Sequence, residues 1–212
     1  MSTRQILGSL ACGAVLLTGV PACSEKPDDK SQTSNSGNSN SNSDKASGGT
    51  NTGTASAELL KLGVEQGQAG KFDEAKATFE KVLAAEAENK FAWFNLGFIA
   101  QSRNHSDEAI SNYDKALATD ANYKPALYNK AIALESKDPT TSMDIYRKLV
   151  SIDNKSSTAY LRLGMLLSES GDDAGARDAF KAAVRLDKGL TSAVPAKYRV
   201  VPTARPSASA GR

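Results

Sequence analysis

The chain repeats itself. Gly63, Gly97, Ala131 and Gly164 stand 34, 34 and 33 residues apart. Twelve residues after three of these comes an alanine (Ala75, Ala109, Ala176), and four further on an aromatic residue (Phe79, Tyr113, Phe180). The third unit is one residue short in its turn, and Ser142, Tyr146 and Leu149 hold the equivalent places. Each unit closes on an acid: Glu86, Asp120, Asp153 and Asp187. A period of this length marks a unit too small to bury its own apolar face, so the copies must stack.

The stretch from Lys90 to Asp120 shows what one unit is. Trp93, Leu96 and Gly97, then Ala109, Tyr113 and Ala116, follow the three-and-four spacing of a single helix face. The break from Ser102 to Ser106 is polar, so the unit reads as two amphipathic helices joined by a tight turn. The same reading pairs Ala57–Ala69 with Asp73–Glu86, where Gly70 ends the first helix and Asp73 caps the second. It pairs Lys124–Ser136 with a helix from Pro139, started by Asp138 at the N-cap and proline at the first position. It pairs Ser157–Ser170 with Asp173–Leu186.

This pattern resembles the tetratricopeptide repeat family over residues 57–188, in units 57–89, 90–123, 124–156 and 157–188. It departs from the family in having no closing proline, and in placing Gln66, Ala100, Leu134 and Leu167 where a tyrosine is usual. The resemblance implies an all-α fold: a right-handed superhelical solenoid of four helix pairs, with a disordered N-terminal linker and C-terminal tail. It also implies that Leu59, Leu62, Trp93, Leu96, Leu127, Tyr160 and Leu163 lie between helices, as structural residues and not as ligand platforms, and that the first helices line a concave groove. The groove residues of the first and second units are then Leu60, Val64, Phe91, Phe94, Asn95 and Phe98. Those of the third and fourth are Tyr128, Asn129, Ile132, Leu161 and Met165. The aromatic residues would bury a partner's apolar side chains, and Asn95 and Asn129, one period apart, would bond its backbone. Lys61 and Arg162 would meet acidic groups at the rims.

Residues 1–22 read as a targeting segment. Arg4 supplies the positive end, and the apolar run Ile6 to Val20 is too short to span a bilayer. It ends in Val20-Pro21-Ala22-Cys23, which resembles a bacterial lipobox; the resemblance implies cleavage before Cys23 and a lipid on its sulfur. Two or three acyl chains hold a protein stably on a membrane, so the expected location is the bacterial cell envelope, on the extracytoplasmic side. Residues 23–56 are then the lipidated cysteine and a linker rich in Ser, Asn and Gly, too polar to fold.

Residues 57–188 carry 18 basic and 20 acidic side chains, without the basic surplus of a nucleic-acid binder. His105 is the sole histidine, and no metal-ligand, nucleophile-elbow or phosphate-loop pattern occurs in the sequence. The expectation is a non-enzyme with no cofactor and no metal site. It is a membrane-anchored adaptor that binds a partner protein's peptide or helix segment, in assembly of an envelope complex. One alternative is a self-associating lipoprotein that forms a homodimer through an uncovered last repeat and the tail, 189–212. The other is an envelope hydrolase using Glu135 and Glu169. Pro195, Pro202 and Pro206 argue against a long closing helix; Val194, Tyr198, Val200 and Val201 would instead lie irregularly across the last pair.

Overall fold

The structure, a computed structural model, describes residues 50–199. Among them are eight α-helices, two short 3-10 turns and no strand. The helices are α1 Thr50–Gln68, α2 Phe72–Ala85, α3 Lys90–Ser102, α4 Ser106–Thr119, α5 Lys124–Leu134, α6 Pro139–Ile152, α7 Ser157–Ser170 and α8 Asp173–Leu186. The expected leader, Cys23, most of the linker and Val200 and Val201 lie outside the described residues.

Each odd helix packs against the even helix that follows it, and each even helix against the next odd one. First helices also meet one another, α1 with α3 and α3 with α5, so they line one side of a solenoid. The small residues make the pairing tight. A Cβ at Gly63 would lie 2.7 Å from the Phe79 ring, and one at Gly164 2.7 Å from the Phe180 ring. In the third unit Ser142 takes the alanine place, and its hydroxyl donates to the Ala131 carbonyl at 2.8 Å, satisfying a buried polar group.

The helix ends follow the sequence closely; α5 stops at Leu134, short of the expected Ser136, and two helix starts differ. Asp138 caps α6 by accepting from Thr141 N, and Pro139 opens that helix. Gly70 and Gly171 end α1 and α7 with φ of 75° and 88°, in the left-handed region that favours glycine. Asp73, expected as the cap of α2, instead lies inside its first turn, where a carboxylate complements the helix dipole. The first helix starts at Thr50, not Ala57, so part of the expected linker is helical; Ser56 in that extension is buried.

Leu62 is a further correction. Expected between helices, it is 44% exposed, whereas Leu96 and Leu163 at the same place in later units are buried. Those two pack against the preceding unit, and no unit precedes α1 among the described residues.

At the other end, two 3-10 turns, Lys188–Ser192 and Ala196–Tyr198, lie against α8. Val194 and Tyr198 are buried there. The last pair is therefore covered by the tail, and the homodimer alternative loses the uncovered surface on which it rested.

Candidate functional site

The face lined by the first helices carries the candidate residues, but only some are open to a partner. Phe91, Phe98, Tyr128, Asn129, Ile132 and Met165 are partly exposed. Leu60, Val64, Phe94, Asn95 and Leu161 are buried in the free chain. Enclosed by their own chain, these five form the wall of this face, and the partly exposed set is what it presents to solvent. Phe94 shows the reason. Its ring lies 5.9 Å from Tyr113 and 5.6 Å, edge-on, from Tyr123, so α4 and the turn before α5 close over it.

The asparagines differ in the same way. Asn95 is 0% exposed and donates to the Phe91 carbonyl at 2.8 Å. Asn129 donates likewise to Pro125 at 3.1 Å but stays partly open. The buried Oδ1 of Asn95 and hydroxyl of Tyr123 have no hydrogen-bond partner. Burial, then the nearby Asp120 charge, pushes the Tyr123 hydroxyl up to about 12, so it stays protonated at neutral pH. Phe91 meets Tyr123 edge-on at 5.8 Å, and the Lys90 ammonium lies 5.3 Å from the Phe91 ring.

The charged rim is also changed. Arg162 does not wait for a partner's acid. Its Nη1 donates to both oxygens of Glu135, at 2.8 and 2.9 Å, and its Nε to the Tyr128 hydroxyl at 3.3 Å. The Tyr146 hydroxyl also donates to Glu135, at 2.7 Å. Burial, first, and the Glu135 charge hold the Tyr146 hydroxyl well above its usual range, so it remains a donor. This cluster joins the third and fourth units, and sequence spacing gave no sign of it because Glu135 and Arg162 belong to different units. It also commits Glu135, one of the two carboxylates of the hydrolase alternative, to an ion pair; Glu169 is exposed. Lys61 is exposed and reaches Glu65 at 3.8 Å.

Trp93, expected as core, is only partly buried. Its indole N–H donates to the Ala87 carbonyl at 2.8 Å, and the Lys115 ammonium sits 4.1 Å from the ring centre. The ring, with Leu83 and Leu96, lines a cleft of about 270 Å³ between α2 and α4, away from the groove, edged by Lys76, Glu80, Glu108 and Asn112. His105 is exposed and lies 3.5 Å from Glu108. No group of three or more His, Cys, Asp or Glu among the described residues could hold a metal ion. No helix among them is long and apolar enough to cross a membrane.

Comparisons agree with this architecture. Tetratricopeptide repeat sequence models match residues 60–100, and residues 92–123 and 157–189. A comparison with curated protein sequences found no match. Among solved structures, a MamA protein aligns with TM-score 0.61 and 22% identity over 66% of this chain and 78% of its own. YrrB, described as a TPR protein with an unusual peptide-binding site, aligns with TM-score 0.59 and 19% identity over 67% and 77%. PilF of Pseudomonas aeruginosa aligns with TM-score 0.60 and 23% identity over 67% and 65%. At these identities the likeness is one of fold. Period, helix pairing, glycine-to-ring contacts and matching sequence models together identify the repeats of this chain as tetratricopeptide repeats folded into a helical solenoid.

Proposed function

We propose that this chain is a protein-binding adaptor, tethered to an envelope membrane by a lipid on Cys23, that holds a segment of a partner along the face of its first helices. The observation that carries the reading is the set of partly exposed apolar side chains on that face. Phe91, Phe98, Tyr128, Ile132 and Met165 come from three successive first helices, with Asn129 among them. Half-open aromatic and aliphatic anchors beside a polar group are what a partner's apolar side chains need, and solenoids place binding on this surface. The peptide-binding site in the description of YrrB is in keeping with the reading. A non-catalytic role in assembling an envelope complex follows from adaptor plus anchor.

The test is a pulldown from solubilised envelopes with the wild-type chain and a Phe98→Ala, Ile132→Ala double variant. A partner lost in the variant, at unchanged helix content, supports the groove; a partner retained by both moves binding elsewhere. Cys23→Ser should release the protein from membranes, and its retention in the membrane fraction would remove the anchor.

A further inference from the structure

The tail does more than cover apolar surface: it reproduces the contacts that a following repeat makes. Arg103, in the turn of the second unit, reaches back to Asp73 in the first turn of α2 at 2.8 Å. Lys137, one period later, reaches back to Asp107 in the first turn of α4. After α8 the described residues hold no fifth helix pair, and Lys197 of the tail reaches Asp173 in the first turn of α8 at 2.9 Å. The Tyr198 ring lies 5.0 Å from Phe180, and its hydroxyl is 2.9 Å from Ser168 Oγ and donates to Asp173. Arg199 braces the segment by donating to the carbonyls of Val194 and Ser192.

The opposite end of the solenoid carries the matching half of a junction. Within the chain, Leu96 packs into a cluster with Phe79 and Val82 of the preceding unit, and Leu163 with Tyr146 and Leu149. Leu62 is their equivalent, and among the described residues it is left exposed, with no second helix ahead of it. The surface it is shaped to meet is the far side of a unit's second helix. In the fourth unit that surface is Phe180 and Ala183, where Val194 and Tyr198 now cluster.

We infer that the tail, residues 188–199, is a surrogate repeat that holds off a second copy of this chain, and that lifting it opens α8 to Leu62 and α1 of that copy. The occupant is a second copy because the chain's own junctions are the template for the contact. Such a contact is head-to-tail and does not close on itself, so assembly would grow with concentration. The tail prevails in the resting chain for two reasons. It is tethered beside its site, which gives it a high effective concentration. It also supplies Lys197 to Asp173, whereas the first unit offers Ala69 at the place of Arg103 and Lys137. The inference is independent of what the groove binds.

The experiment is sedimentation of the full chain across a hundredfold concentration range, for wild type, Tyr198→Ala, and Tyr198→Ala with Leu62→Glu. Wild type should keep one mass. Tyr198→Ala should gain mass steadily with concentration, and Leu62→Glu should return it to the wild-type value. A Tyr198→Ala chain of full helix content that keeps the wild-type mass overturns the inference, as does association that survives Leu62→Glu. If Tyr198→Ala loses helix content, Lys197→Glu, which alters only exposed groups, takes its place with the same two outcomes.

Discussion

Gly97 and Tyr113 touch as closely as a helix pair allows: a Cβ on Gly97 would lie 2.6 Å from Cε1 of the Tyr113 ring and 3.2 Å from the Ala109 carbonyl oxygen. The tyrosine cannot simply swing away, because it is buried and its hydroxyl donates to Gln101 at 2.6 Å. Gly97→Ala should therefore destabilise the fold. Overpacking costs about 1–3 kcal/mol, and the better helix propensity of alanine returns up to about 1 kcal/mol. Gly53 in α1 has nothing within 4 Å, so Gly53→Ala should stabilise by about 0.5 kcal/mol. Urea melts of the two variants should move in opposite directions.

Phe94 and Phe98 separate wall from surface on a single helix. Phe94 is 2% exposed, and Phe94→Ala should cost about 3–5 kcal/mol through the cavity it leaves. Phe98 is partly open, and Phe98→Ala should cost about 1 kcal/mol, the part of its area that leaves water on folding. A small loss at Phe94 in thermal unfolding would mean that its cover by Tyr113 and Tyr123 is loose.

The repeat was legible because its cause is local. Glycine against ring and alanine against helix recur at a fixed period, and seven of the eight helices begin within a residue or two of where the spacing puts them. What the sequence hid was contact between units. Position along a first helix said that Phe94 and Asn95 face the groove, but not that Tyr123, in the turn that leads into the next unit, packs over Phe94. Rim position suggested a waiting cation at Arg162, but Glu135 and Tyr128 of the preceding unit already hold it. Leu62 matched Leu96 and Leu163 in type, yet it is exposed where no unit precedes it among the described residues. The tail was readable as an irregular cover, since its prolines forbid a long helix, but its match to Arg103 and Lys137 needs coordinates.

Acid should weaken the fold through the closing aspartates. The side-chain hydrogen bond from Lys90, then a backbone N–H from Asn122, holds the Asp120 carboxyl below its ordinary value of 3.8. Lys124 and the Lys155 N–H do the same for Asp153. A depressed carboxyl contributes stability that is fully present above the unfolded value and is lost as pH falls through the folded one. The urea midpoint should hold between pH 5 and pH 7, in the sense that these groups do not change there, and drop below about pH 4. An Asp120→Asn, Asp153→Asn variant should be less stable at pH 6 and show a smaller drop at pH 3; an equal drop would place the acid sensitivity elsewhere.

The pair between Arg162 and Glu135 should behave as an interior contact. Both side chains are mostly covered, at 18% and 24% exposure, and one guanidinium nitrogen, Nη1, donates to both carboxylate oxygens. Removing one member leaves the other with its charge poorly solvated, which is the costly half of breaking such a pair. Arg162→Met and Glu135→Gln should each lose about 2 kcal/mol, and the double variant should lose much less than the sum. The coupling from that cycle should be about 1.5–2 kcal/mol and should change little between low and high salt, because screening reaches covered charges poorly. A coupling under about 0.5 kcal/mol that vanishes in salt is the behaviour of an exposed pair. That result would free Arg162 to meet a partner's acid, and the same variants assayed for partner binding would then show a loss for Arg162→Met and a gain for Glu135→Gln.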